Sequence, residues 1–267
     1  MTGILVTGGT GVLGRAVVRS LTGKAEVRVL SRGGTPVDGA EVVQGNLDSG
    51  AGLAAALDGV EAIVHCATSA DYRRPEREAD QTRRLIEAAT GTPHLVYISI
   101  VGVDRIPFGY YKAKLATERL IEKSGLPWTT LRATQFHEFV LILLMLLAKG
   151  PVALMPRGIK DQPVETQEVA LRLAELALGE PAGRVPDMGG PQVERLDDLM
   201  RAFLAVTRRR KPMLNVPIPG KVAKAFKAGG HLLESGVTGS RTFAEFLNAN
   251  VRPDGTVDPP YDVKFRR

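Results

Sequence analysis

The chain has 267 residues, 44% of them apolar and 24% charged, enough to build a sizeable α/β core without disulfides or metal. Its single cysteine, Cys66, excludes a disulfide framework and points to a reducing compartment. The formal net charge is +6, and it sits late in the chain, where residues 205–267 hold 12 basic against 5 acidic side chains.

The first residues lack the basic region and apolar core of a secretory signal. Apolar, β-branched runs at 4–7, 27–30, 41–43, 62–66, 95–100 and 128–133 read as strands. Helical patterns fall between or after them at 13–21, 79–89, 110–124 and 139–147. The strands are apolar throughout rather than alternating, as in a parallel sheet covered on both faces. The alternation of strand and helix predicts an α/β fold with a doubly wound parallel sheet. The run 139–148 is apolar for ten residues, about half of a membrane span, so no membrane partner and a cytoplasmic location are expected. Beyond it the pattern loosens, with strands expected at 152–154 and 185–188 and helices at 168–178, 196–206, 221–227 and 243–248. No flexible linker intervenes, so 1–150 reads as one domain and 151–267 as a smaller, helix-rich lobe interleaved with its sheet. The late basic residues, Arg208, Arg209, Arg210, Lys211, Lys221, Lys224 and Lys227, lack interleaved aromatics and any DNA-reading motif. They read as a solvated face, and no nucleic-acid partner is expected.

The turn after the first strand is Gly8-Gly9-Thr10-Gly11-Val12-Leu13-Gly14, with glycines at 8, 11 and 14. At that place Gly8 lets the chain leave the strand, Gly11 lets backbone approach a pyrophosphate, and Gly14 lets helix and strand pack closely. The pyrophosphate would rest on the N–H groups that open the helix. Residues 1–150 thus read as a dinucleotide-binding domain. An NAD-selective site usually offers an acid after the second strand, but here Ser31 and Arg32 stand there. A guanidinium pairs with a 2′-phosphate, so NADP(H) is expected over NAD(H).

These motifs, with Gly45-Asn46-Leu47-Asp48, Val64-His65-Cys66-Ala67-Thr68, Tyr110-Tyr111-Lys112-Ala113-Lys114 and Arg132-Ala133-Thr134-Gln135-Phe136, resemble the short-chain dehydrogenase/reductase superfamily. The nearest likeness is to its atypical and extended members, the NmrA-like NAD(P)-binding proteins. The resemblance implies a doubly wound Rossmann sheet with a C-terminal substrate lobe. It implies that Asn46 and Leu47 flank the adenine, and that Ala67 and Thr68 lie along the pyrophosphate–ribose path. Asn46 stands where the family has Asp, and its amide oxygen can still accept from the adenine amino group.

Tyr110 and Lys114 are spaced to share one helix face. By the resemblance, Tyr110 is the general acid/base and Lys114 holds the nicotinamide ribose and lowers the phenol pKa. The superfamily's serine falls on Ser99, or is missing if its register is Ile100. The function implied is NADP(H)-dependent hydride transfer to or from a carbonyl or alcohol of a small, apolar substrate. The alternative is an NmrA-like nucleotide sensor without catalysis. The four histidines (His65, His94, His137, His231) show no metal-ligand spacing, and no metal is expected. His137 reads as structural or as reaching substrate, and Cys66 as a small buried hydrophobe. The oligomeric state is left open.

Overall fold

The computed structural model describes residues 1–69, 74 and 76–257. The six early strands form one parallel sheet: β1 (Gly3–Thr7), β2 (Glu26–Ser31), β3 (Glu41–Gln44), β4 (Ala62–His65), β5 (His94–Ile100) and β6 (Trp128–Ala133). Their spatial order is 3-2-1-4-5-6, so the winding reverses between β1 and β4. Along each central strand, alternate residues enter different cores. Ile4, Val6, Val64, Val96 and Ile98 face one cluster, while Leu5, Ile63, Leu95 and Tyr97 face another. Both faces are dry, which is why the strands are uninterrupted apolar runs.

Helix α1 (Val12–Leu21) covers the first face together with α6 (Thr166–Leu178) from later in the chain. The second face carries α2 (Leu53–Leu57), α3 (Glu76–Ala88) and α4 (Gly109–Glu122). Helix α5 (His137–Leu147) leaves β6 and joins a separate core with β7 (Ala153–Pro156), α7 (Leu196–Val206) and α9 (Phe243–Asn250). Strand β7 pairs in parallel with β12 (Met213–Val216). The short β8 (Lys160–Asp161) pairs with β11 (Glu194–Arg195). Three dipeptide strands, β9 (Gly183–Arg184), β10 (Met188–Gly189) and β13 (Val237–Thr238), extend the main sheet beyond β6 to nine strands. Helix α8 (Lys221–Lys227) lies between β12 and β13 in the chain.

Three expectations shift. The single strand expected at 185–188 is instead the pair β9 and β10, because Pro186 between them has no N–H to give a ladder. The strand expected at 152–154 runs over Ala153–Pro156, where β12 supplies the partner. Lys211 is not merely solvated. Its ammonium donates to the carbonyls of Ala148 and Gly150, each at 2.6 Å, closing the end of α5. His137 is fully buried, meets Phe243 edge-on and Phe246 at a tilt, and bonds the Pro163 carbonyl at 3.1 Å through Nε2, so it serves the separate core around α5, α7 and α9. Among the described residues no helix is long and apolar enough to cross a membrane, and no cluster of His, Cys, Asp and Glu could hold a metal.

Candidate functional site

The carboxyl ends of β1, β2, β3 and β4 open onto a cleft of about 1100 Å³ at the point where the strand order reverses. Open α/β sheets bind ligands at such a switch point. The loop 8–14 forms its floor. Gly8 has φ +70°, and a Cβ there would lie 2.7 Å from the Ala67 nitrogen. A Cβ on Gly14 would lie 2.2 Å from the Gly8 carbonyl oxygen, so the loop and helix touch backbone to backbone. Gly11 is different: it is exposed on the cleft, and its nearest neighbour is the Gly8 oxygen at 3.3 Å. It is also the N-cap of α1, where no side chain caps the helix and no acidic residue occupies the first turn. The N–H groups opening α1, through Val12 and Leu13, therefore remain available to an anion. The neighbouring Thr10 is exposed, and its carbonyl accepts Arg15 Nε at 3.0 Å. This cradle fits a dinucleotide pyrophosphate.

At the far end of the cleft Ser31 is buried, with its hydroxyl accepting the Thr35 N–H at 3.2 Å. Arg32 beside it is exposed and lines the cleft. Asn46 and Leu47 face it from the turn after β3. The Asn46 amide oxygen accepts the Asp48 N–H at 2.9 Å, so one of its lone pairs serves the turn itself. Two lining residues carried no sequence signal. Arg77 grips Asp48 with two bonds of 2.8 and 2.6 Å, and Gln81 adds a third at 2.8 Å. The Arg77 bond leads the causes that lower the Asp48 pKa to about 2, with Arg32 contributing its charge. Both residues sit on α3, so this clamp ties the helix to the turn after β3.

The residues expected to be catalytic lie at or beyond the strand end of β5. Ala67 and Thr68 line the cleft, and the Thr68 hydroxyl lies 3.0 Å from the Tyr110 hydroxyl. Tyr110 begins α4 against an apolar patch made by Val103, Ile106 and Tyr111 with Ile100, Val222 and Phe226. Lys114, on the same helix face, is 3% exposed and forms an ion pair with Glu78 at 2.9 Å. It also donates to the Ile98 carbonyl at 3.2 Å and sits 4.9 Å from the centre of the Tyr97 ring. Burial opposes both charges, but each partner overcomes it: Glu78 is held below the usual carboxylate range and Lys114 well above the usual ammonium range. The structure thus pairs the Lys114 charge with Glu78, a partner absent from the expectation that Lys114 holds the nicotinamide ribose and lowers the Tyr110 phenol pKa. Ser99 is 2% exposed and its hydroxyl has no hydrogen-bond partner, so it is not joined to Tyr110. Cys66 is packed against the α1 face, and burial pushes its thiol up to about 12.

Residues 8–139 match the NAD(P)H-binding family. Over 139 residues the chain is 33% identical to a (4-alkanoyl-5-oxo-2,5-dihydrofuran-3-yl)methyl phosphate reductase of Streptomyces griseus, covering 50% of this chain and 48% of that one. It is 28% identical over 206 residues to the photosystem II assembly factor Ycf39 of Trieres chinensis, covering 70% and 63% of the two chains. The chain therefore spans between about half and two thirds of the length of these curated relatives. An Escherichia coli NADPH-dependent quinone oxidoreductase, solved with NADPH, superposes with a TM-score of 0.75 at 22% identity over 92% of this chain and 99% of its own. At that identity the likeness is one of fold.

Proposed function

We propose that the chain, whose residues 8–139 match the NAD(P)H-binding family, is an NADPH-dependent reductase of carbonyl or quinone compounds. The observation that carries this reading is the phenol of Tyr110, 3.0 Å from the hydroxyl of Thr68, which lines the cleft. The loop 8–14 would hold the pyrophosphate, Arg32 the 2′-phosphate, and Asn46 and Leu47 the adenine edge. Ala67 and Thr68 would flank the path toward the nicotinamide ribose. When bound, the reduced nicotinamide supplies the hydride. Tyr110 gives its proton to the substrate oxygen, with Lys114 fixed beneath it. Ser99 has no part in this reading. The apolar wall of Ile100, Val222 and Phe226 around Tyr110 favours an apolar substrate and disfavours a charged one.

The test is Tyr110→Phe, assayed with menadione and aromatic aldehydes as probes. Turnover should fall about a hundredfold while NADPH binding is kept, as expected for a lost general acid. Unchanged turnover refutes the assignment. A second reading, a nucleotide sensor without catalysis, is favoured by the Ser99 hydroxyl, which does not reach Tyr110. It requires unequal affinities for NADPH and NADP+, because a ligand shifts a conformation only through differential binding. Equal affinities would remove it.

A further inference from the structure

Glu78 is 1% exposed in the first turn of α3, where the helix N-terminus favours negative charge. Its Oε1 accepts the Tyr97 hydroxyl at 2.8 Å and the Lys114 ammonium at 2.9 Å. Its Oε2 accepts the Thr68 hydroxyl at 2.8 Å and the Ser69 N–H at 3.4 Å. Thr68 has one hydroxyl proton and gives it to Glu78, so toward Tyr110 it can only accept. The Tyr110 proton therefore points at Thr68, and a single oxygen atom links the phenol to the carboxylate.

Among the described residues, the other titratable groups near Glu78 are neutral. Burial holds His65 down to about 4 and Cys66 up to about 12, and it keeps Tyr97 a phenol. From α4, the charge that meets Glu78 is the Lys114 ammonium, and the two cancel.

Building on the reductase reading, we propose that Glu78 is a positioning residue that sets Tyr110 as a proton donor: one carboxylate oxygen cancels the charge of Lys114, and the other, through Thr68, aims and retains the phenol proton. An uncompensated ammonium beside Tyr110 would favour phenolate, the form that serves as a base in alcohol oxidation. A neutral Lys114–Glu78 pair favours the phenol, the acid that a reduction needs. In that step the phenol proton passes to the substrate oxygen, and the phenolate left behind is reprotonated from water. The site is therefore built for reduction.

The test titrates the ultraviolet absorbance of phenolate in the full chain, without cofactor or substrate. The Tyr110 signal is isolated in each background by subtracting the matching Tyr110→Phe variant. Glu78→Gln should lower the Tyr110 midpoint by about one pH unit or more, since it leaves Lys114 uncompensated. An unchanged midpoint overturns the proposal. Because Glu78→Gln strands a buried ammonium and can fail to fold, the neutral double variant Glu78→Gln/Lys114→Met is the second arm. Its midpoint should fall by less than in the single variant, because the charge pair is gone and only the hold of the carboxylate on Thr68 is lost. A clearly raised midpoint in the double variant would mean that Lys114 acts on Tyr110 unopposed, and would also overturn the proposal. Failure here is separable from failure of the reductase reading, which Tyr110→Phe turnover alone decides.

Discussion

Two glycines of the loop 8–14 should fail in different ways when given a methyl group. In Gly14→Ala the new Cβ would stand 2.2 Å from the Gly8 oxygen and 2.6 Å from the Gly9 Cα. Ordinary contact begins near 3.4 Å, so the loop and α1 must part by about 1 Å, an overpacking cost of about 1–3 kcal/mol. In a chain of this size that lowers Tm by on the order of 2–12 °C. In Gly11→Ala the nearest atom is at 3.3 Å, and the backbone at φ −79°, ψ 173° accepts any residue. Its stability should stay within about 1 kcal/mol of wild type. The methyl instead enters the space where a pyrophosphate would meet the backbone, so NADPH affinity should fall by about tenfold or more. Thermal unfolding and a fluorescence titration with NADPH separate the two outcomes. Gly11→Ala binding NADPH as wild type does would remove this loop from the cofactor site. Gly14→Ala melting with the wild type would refute the packing argument.

Other consequences follow from single side chains. Arg32→Ala should weaken NADPH by about tenfold or more and leave NADH nearly unchanged, because a charge-assisted pair to a 2′-phosphate is worth roughly 1.5–3 kcal/mol. Equal losses for both nucleotides in competition binding would show that Arg32 does not read the phosphate. Asp48→Asn should cost about 1 kcal/mol or less at neutral pH, since the clamp with Arg77 is part-exposed. The folded carboxyl lies near 2 against an ordinary 3.8, so its stabilisation is present above about pH 4 and lost as pH falls through 2. Urea midpoints of wild type and variant should converge over that window, and a constant gap would contradict the linkage. Asp161 has the opposite sign: burial raises it to about 7, so its ionisation destabilises the fold progressively as pH rises from 4 to 7. Asp161→Asn should flatten that slope in the same urea series, and an unaltered slope would place the cause elsewhere.

The central strands β1, β4 and β5 were readable because each is buried on two faces, which leaves apolar runs such as Ile4–Val6 with no polar interruption. The loop 8–14 was readable because Gly8 and Gly14 answer backbone contacts that any side chain would break. The edge of the sheet was not. Strands β9, β10 and β13 are dipeptides, too short to carry a period, and β12 is largely exposed with only β7 beside it. Glu78 was invisible for another reason. It stands in a helix beginning Glu76-Arg77-Glu78-Ala79-Asp80, which reads as a solvated face. Its burial arises from packing of α3 against β4, β5 and α4, and only the fold brings Lys114 to it. Arg77 was hidden in the same stretch, and its role depends on the distant Asp48.

The decisive measurement is a fluorescence titration of the purified protein with NADPH and NADH in parallel. Tight binding of NADPH with much weaker binding of NADH is expected from the uncapped start of α1 and from Arg32 at the end of β2. Binding of neither nucleotide would mean that the cleft is not a cofactor site, and the reductase and sensor readings would fall together.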